Sequence, residues 1–133
     1  MKNPIVHFEI PADDVERAEE FYTKTFGWKI EKFDMPEGDP YYMVYAAETD
    51  ENNMVKKQGQ INGGMMKRKD PAQPFMNYLS VDSIEDALKD IKANGGTEAM
   101  PKTEIAPSMG WIAAFKDTEG NLMGLHEVPA DKK

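Results

Sequence analysis

The same pattern of hydrophobic and polar residues occurs twice along this chain. Residues 4–10 (PIVHFEI) and 74–81 (PFMNYLSV) each place a proline ahead of a short apolar run, which predicts a strand near the start of each half. The period then changes to three and four residues, which predicts helices near residues 13–26 and 83–94. Their apolar stripes consist of Val15, Ala18, Phe21 and Tyr22 in the first helix, and of Ile84, Ala87, Leu88 and Ile91 in the second.

The ends of the two predicted helices also match. Each begins with an acid followed three residues later by glutamate, which resembles a capping box and makes Asp13 and Asp82 the expected N-caps. Each ends at glycine, the residue that most easily adopts the left-handed conformation after a helix. Equivalent helix residues lie 69 positions apart, and the strands before them align at an offset of 70. This ordered agreement indicates an internal duplication.

Alternating segments after each helix predict three further strands per half. These are residues 28–34, 41–47 and 61–67 in the first half, and residues 97–105, 111–116 and 122–128 in the second. Turn-forming residues lie at 36–40 and 117–121, while the polar segments 48–57 and 67–73 indicate a mobile loop and a linker. We therefore expect an α+β fold with one domain over residues 1–133, built from βαβββ modules at 1–67 and 74–128.

Composition narrows the range of functions. The 133 residues are 40% hydrophobic and 30% charged, which is typical of one globular domain. A formal net charge of −8 argues against nucleic acid or an anionic membrane as a partner. The chain has no cysteine, and hence no disulfide and no thiol nucleophile. The N-terminal residues lack a signal-peptide apolar region and no apolar run approaches the ~18 residues of a membrane span, so we expect a cytoplasmic protein.

Two segments carry a resemblance to a known superfamily. The segment HFEIPADDVERAEEFYTKTFGW (7–28) resembles the opening of a vicinal oxygen chelate module, the module of glyoxalase, bleomycin resistance protein and related dioxygenases. The segment DTEGNLMGLHE (117–127) is similar to the closing hairpin strand of that superfamily. The resemblance implies two βαβββ modules that form a partly closed sheet around a cavity. It also implies a metal ligand on the first and last strand of each module in the metal-dependent members.

The implied ligand positions are poorly filled in this chain. His7 matches the first position, and its counterpart at an offset of 70 is Asn77, whose neutral amide is a weak ligand. The resemblance places the last ligand, a glutamate, at Gly124, and its first-half equivalent near Gly64. The sequence therefore predicts no conventional metal site and no bound cofactor, with His7 as the one weak candidate ligand. A divalent metal in a non-standard site formed by His7, Glu9 and His126 is the less favoured alternative.

His7 and Glu9 are the candidate catalytic residues. They are two positions apart on one strand and so face the same side, as His126 faces the side of position 124. In a closed cavity the Glu9 carboxylate would be desolvated and suited to general acid or base chemistry. The alternatives are a structural histidine with a hydrogen-bond partner and a glutamate paired at the sheet edge.

Methionines and aromatic residues predict an adaptable apolar pocket. The chain has ten methionines. Six lie on or beside predicted strands, interspersed with aromatic residues, and deformable thioethers suit such a pocket. We expect Met76 and Trp111 to pack on a neutral or cationic ligand that His7 and Glu9 orient. The full set of expected binding residues is His7, Glu9, Met76, Asn77, Trp111 and His126.

The sequence leaves three functions open. The first is a protein that binds a small, largely apolar molecule without a metal, with or without catalysis. The second is a metal-dependent lyase, isomerase or dioxygenase of the glyoxalase type. The third is an interaction module without a ligand. In each case exposed strand edges predict a homodimer.

Overall fold

A computed structural model describes residues 2–106 and 108–132. Within that part of the chain the order of elements confirms the α+β class and the two βαβββ modules. The first half contains β1 (Ile5–Ala12), α1 (Val15–Phe26), β2 (Lys29–Phe33), β3 (Tyr41–Tyr45) and β4 (Asn62–Lys67). The second contains β5 (Met76–Ser80), α2 (Ile84–Ala93), β6 (Thr97–Ala106), β7 (Gly110–Lys116) and β8 (Leu122–Glu127), followed by a short 3-10 helix (Ala130–Lys132).

The contacts divide the chain into two compact units. Module 1 is His7–Phe75, and module 2 is Met76–Lys133 together with Met1–Val6. The strand order in module 1 is β2-β3-β4-β1, with β1 parallel to β4 and the other pairs antiparallel. Module 2 repeats this arrangement as β6-β7-β8-β5, with β5 parallel to β8.

Both helices begin one residue later than the expected capping boxes. The N-caps are Asp14, whose Oδ1 accepts from the Arg17 backbone N–H at 3.0 Å, and Ser83, which accepts from Asp86. Asp13 is not the cap, because its carboxylate is paired with the Arg68 guanidinium. The N-caps Asp14 and Ser83 still lie 69 positions apart, so they support the internal duplication as well as Asp13 and Asp82 did. Gly27 ends α1 in the left-handed region at φ 71°, as its position predicts.

Each module has its own apolar core between its helix and one face of its sheet. In module 1, Phe8, Val44 and Met65 are buried, and α1 packs on them through Val15, Ala18 and Tyr22 of its predicted stripe. Phe21, the fourth residue of that stripe, is 55% exposed, so its assignment to the buried face was wrong. In module 2, Leu125 and the fully buried Ile84 lie at the centre of the core. Burial of a side chain of this size stabilises the fold by about 1.5–3 kcal/mol. The opposite face of each sheet points away from the helix of its module and lies outside these cores.

The turn of the closing hairpin is built by one carboxylate. Asp117 accepts backbone N–H bonds from Glu119 and Asn121 and a side-chain bond from Asn121. These bonds hold the pKa of Asp117 below its usual value. The predicted turn at 117–121 is therefore present with its expected chemistry. In the described part of the chain, neither helix has both the length and the apolar composition for a bilayer crossing.

Candidate functional site

Three polar side chains meet on the face of the module 1 sheet that points away from α1. His7 and Glu9 alternate with Phe8 and Ile10, which pack towards α1. Tyr41, on β3, places its hydroxyl 3.0 Å from His7 Nε2 and 3.1 Å from Glu9 Oε2. The structure therefore brings the two candidate catalytic residues into one network, through one of the aromatic residues that lie among the methionines of the predicted strands.

The protons of this network follow from the chemistry of its members. A phenol has one hydrogen, and Tyr41 donates it to the Glu9 carboxylate. The contact with His7 then requires that His7 Nε2 carries a hydrogen and donates to the Tyr41 oxygen. The Tyr41 hydroxyl thus links the Glu9 carboxylate to the His7 imidazole. Such a chain of hydrogen bonds polarises its members and fixes the orientation of all three side chains.

The absence of a side chain at position 64 makes room for Tyr41. Gly64 lies on β4 opposite Glu9 of β1 and Met43 of β3. A Cβ built on Gly64 would be 1.6 Å from the Tyr41 hydroxyl. The tyrosine hydroxyl therefore occupies the place where the superfamily resemblance puts a metal-binding carboxylate. A glycine at a ligand position next to an aromatic strand was the available sequence signal.

Two methionines flank the polar network on the same face. Met66 is the cross-strand neighbour of Tyr41, and Met43 is two residues further along β3. Both side chains are half-buried, whereas Met65 points to the opposite side and is fully buried in the α1-side core. The expected combination of methionine and hydrogen-bonding groups is thus present within module 1, although not every strand methionine contributes to it.

In module 2 the corresponding place is occupied by the ring of Tyr78. Tyr78 of β5 lies opposite Gly124 of β8, and a Cβ on Gly124 would be 2.3 Å from the Tyr78 ring. The Glu9–Gly64 pair of module 1 corresponds to the Tyr78–Gly124 pair of module 2. Glu9 of β1 and Tyr78 of β5 are therefore equivalent, and they are 69 positions apart. The strand offset of 70 is therefore wrong, because shifting a strand by an odd residue exchanges its two faces. The counterpart of His7 is Met76, not Asn77.

The expected binding residues of module 2 divide between the two faces of its sheet. Met76 alternates in phase with Tyr78, while Asn77 is in phase with Leu79, which packs against the α2-side core. Trp111 also packs against that core, with Lys102 Nζ 4.7 Å from its ring centroid. Met76 and Trp111 therefore lie on opposite faces of the module 2 sheet.

His126 lies on the Tyr78 face of module 2, beside Ser80 and Ile112 on the neighbouring strands. Burial lowers the pKa of His126, a shift partly offset by a hydrogen bond to the Met109 carbonyl and by the nearby Glu127 carboxylate. Glu127 faces the other side, as strand alternation predicts, and its Oε1 accepts from the Ile84 N–H at 2.7 Å. Glu127 thus has a structural role at the start of α2.

The donor set does not fit the metal that the resemblance implies. The four positions are His7, Met76, Gly64 and Gly124, which together offer one imidazole and one thioether. The Tyr41 hydroxyl and the Tyr78 ring fill the space above the two glycines. Over residues 2–106 and 108–132, no three histidine, aspartate or glutamate side chains are grouped as metal ligands.

A wider cleft in module 1 lies apart from this network. It has a volume of about 350 Å³, and half of its lining residues are acids, namely Asp13, Asp14 and Glu16 at the start of α1 and Asp39 on the β2–β3 loop. The cleft is open to solvent, and two of its acids are already engaged, Asp13 with Arg68 and Asp14 with the α1 N-terminus. We regard the Tyr41 network as the candidate site because its groups are half-buried and mutually oriented.

Comparison with known proteins identifies the class. The profile of the family described as "Bleomycin resistance protein-like N-terminal" matches residues 4–38. A "Glyoxylase-like domain-containing protein" from Didymella fabae is 31% identical over 128 residues, which cover 91% of this chain and 91% of that protein. The chain therefore belongs to the glyoxalase-like family of the vicinal oxygen chelate superfamily, as the resemblance predicted.

Solved structures share the fold at lower sequence identity. A hypothetical protein from Bacillus halodurans C-125 has a TM-score of 0.69 at 16% identity, over 97% of this chain and 96% of its own. A variant of Streptomyces coelicolor methylmalonyl-CoA epimerase in complex with 2-nitronate-propionyl-CoA has a TM-score of 0.69 at 14% identity, over 98% of this chain and 100% of its own. Another methylmalonyl-CoA epimerase, in complex with methylmalonyl-CoA and NH4+, has a TM-score of 0.68 at 15% identity, over 98% and 97%. At these identities the likeness concerns the fold.

Proposed function

We propose that this protein binds a small molecule with apolar surface on the Tyr41 face of module 1, without a bound metal. The observation that carries the proposal is the Tyr41 hydroxyl, which joins His7 to Glu9 from the place above Gly64. Oriented hydrogen-bonding groups beside apolar side chains are the usual composition of a ligand site. Met43 and Met66 supply the apolar part.

The charges near the network favour a neutral or cationic ligand. Glu9 contributes a carboxylate, and the formal net charge of the chain is −8. Arg68, a cation on module 1, already donates to Asp13 and to the carbonyls of Gln73 and Pro11. The only basic group of the Tyr41 network is the His7 imidazole, which already contacts Tyr41, so the network offers little to an anionic ligand such as the CoA esters bound by the epimerases. We therefore favour an amine or neutral ring compound.

The ligand proposal is tested by thermal shift with a chemically mixed library. Neutral aromatic and cationic amphipathic compounds should raise the melting temperature of the wild-type protein. Tyr41→Phe should remove most of that shift, because it removes the hydroxyl that orients His7 and Glu9. The matched control is Tyr42→Phe on the same strand, since Tyr42 packs towards α1. Equal loss in both variants, or a preference for phosphorylated compounds at high salt, would contradict the proposal.

Metal independence is tested by elemental analysis of protein purified without chelator. We expect well below one equivalent of Zn, Ni, Fe or Mn per chain. Stoichiometric metal that disappears in His7→Ala would instead favour the metal-dependent lyase, isomerase or dioxygenase. A protein with neither metal nor any stabilising ligand would favour the interaction module.

A further inference from the structure

A chain of aromatic rings in module 1 runs from the core to the outer surface of α1. Phe8 in the core contacts Trp28, and Trp28 stacks on Tyr22 with ring centroids 4.8 Å apart. Phe26 contacts both Trp28 and Phe21. At the outer end of this chain Phe21 is 55% exposed and Phe26 is 60% exposed. Two large rings are thus held in place at the surface by their aromatic neighbours.

Charges of both signs lie around the exposed Phe21 ring on the same face of α1. Arg17, Glu20 and Lys24 are exposed and lie within two helical turns of Phe21. Mixed charge around an apolar centre allows a surface to be complementary to itself. The net charge of the whole chain does not prevent such pairing, because salt screens it beyond about 8 Å at physiological ionic strength.

The outer strands of the two sheets are protected against edge-to-edge pairing. β2, at one edge of module 1, has five residues and includes three charged side chains, Lys29, Glu31 and Lys32. β6, at one edge of module 2, contains Pro101 and three register shifts. Short charged strands, proline and bulges are the devices by which edges avoid pairing. The sheet-edge homodimer is therefore disfavoured at these two strands.

We propose that the exposed face of α1 is the contact surface for a second copy of this chain. The two α1 helices pack antiparallel about a two-fold axis near Tyr22. Residues whose numbers sum to about 44 then lie opposite each other. This arrangement brings Glu20 close to Lys24 of the second copy and Phe21 close to its own counterpart. Because the rings are already held in place, little side-chain entropy is lost on association.

Charge reversal with mixing tests the geometry. Glu20→Lys places lysine against Lys24 of the second copy, and Lys24→Glu places glutamate against Glu20, so each variant should be a monomer of about 15 kDa by light scattering. An equimolar mixture should return to twice that mass, because both contacts become attractive. The Glu20–Lys24 pair within each helix stays repulsive in the mixture, so its loss does not explain the recovery. A mixture that remains monomeric would overturn the proposal.

The apolar part of the surface is tested separately. Phe21→Ser should weaken association at least about tenfold, as expected for an aromatic anchor. The control is Phe33→Ser, which removes an equally exposed ring from the edge strand β2. If Phe33→Ser loses the dimer and Phe21→Ser keeps it, the dimer forms through the edge strand β2 and the α1 proposal is wrong. A wild-type protein that stays monomeric up to millimolar concentration would refute both.

Discussion

Single positions decide which chemistry each module can carry. Gly64 has no side chain, which leaves room for the Tyr41 hydroxyl, and Gly124 likewise leaves room for the Tyr78 ring. Glycine is required at these places by close approach and not by backbone conformation, since neither has a positive φ. The same residue type therefore makes room for a tyrosine hydroxyl in one module and for a tyrosine ring in the other.

The close approach at Gly64 gives a direct prediction for stability. Gly64→Ala should destabilise the protein by about 1–3 kcal/mol, because the new methyl group displaces Tyr41 and breaks its bonds to His7 and Glu9. In Gly64→Ala/Tyr41→Ala the methyl group enters space that the ring has left. Urea unfolding should then show a cost about 1 kcal/mol or more below the sum of the single variants. Additive costs would mean that the two residues do not compete for space.

The lowered pKa of His126 predicts a contribution to pH dependence. Between that lowered pKa and the ordinary value near ~6.5, the unfolded chain binds more protons at this residue than the folded one. Its contribution to stability is therefore complete above that window and decreases as the pH falls through it. The loss of stability between pH 7.5 and pH 5 should be smaller in His126→Asn than in the wild type. An equal or larger loss in the variant would contradict this assignment.

Whole elements were predictable where the signal was periodic. The stripe at Ile84, Ala87, Leu88 and Ile91 placed α2 correctly, because one face of a helix must be buried. The caps were shifted by one residue, since Asp13 and Asp14 are chemically equivalent in sequence and only the Arg68 pairing distinguishes them. The strand offset of 70 was wrong for a related reason. It came from aligning Pro4 with Pro74, and a proline before a strand does not determine which face of the sheet each following residue occupies.

Glu127 shows how strongly one strand residue can support a helix. Its carboxylate is only 6% exposed, accepts from the first N–H of α2, and lies 3.6 Å from Lys102 Nζ. Glu127→Ala should cost about 1–3 kcal/mol in urea unfolding, because it leaves the buried Ile84 N–H without its acceptor, while Lys102 keeps its bond to Glu85. Glu119→Ala, on the exposed hairpin turn, is the control and should cost much less. Similar costs in the two variants would argue against this role.

At the scale of the whole molecule, the duplication preserved the architecture but not the chemistry of the two halves. The βαβββ order and the paired glycines could be read from the sequence, because they depend on local pattern. The Tyr41 network could not, because it joins residues 32 and 34 positions apart whose contact depends on strand register. The division of the module 2 residues between two faces was missed for the same reason.

This asymmetry predicts where substitutions will affect ligand binding. Met66→Ala in module 1 should reduce the ligand-dependent thermal shift, because Met66 neighbours Tyr41. Trp111→Phe in module 2 should leave the shift intact and lower only the stability of the free protein, because Trp111 packs on the α2 side. Loss of the shift in Trp111→Phe with retention in Met66→Ala would reverse the assignment of the site to module 1.

The fit of Tyr41 over Gly64 also means that a single substitution cannot turn this place into a carboxylate ligand position. A carboxylate side chain introduced at position 64 would collide with the tyrosine, because even a Cβ there lies 1.6 Å from its hydroxyl. Removal of Tyr41 alone would lose the hydroxyl that joins His7 to Glu9. The two positions are therefore sterically coupled, and redesign of this site requires that both be changed together.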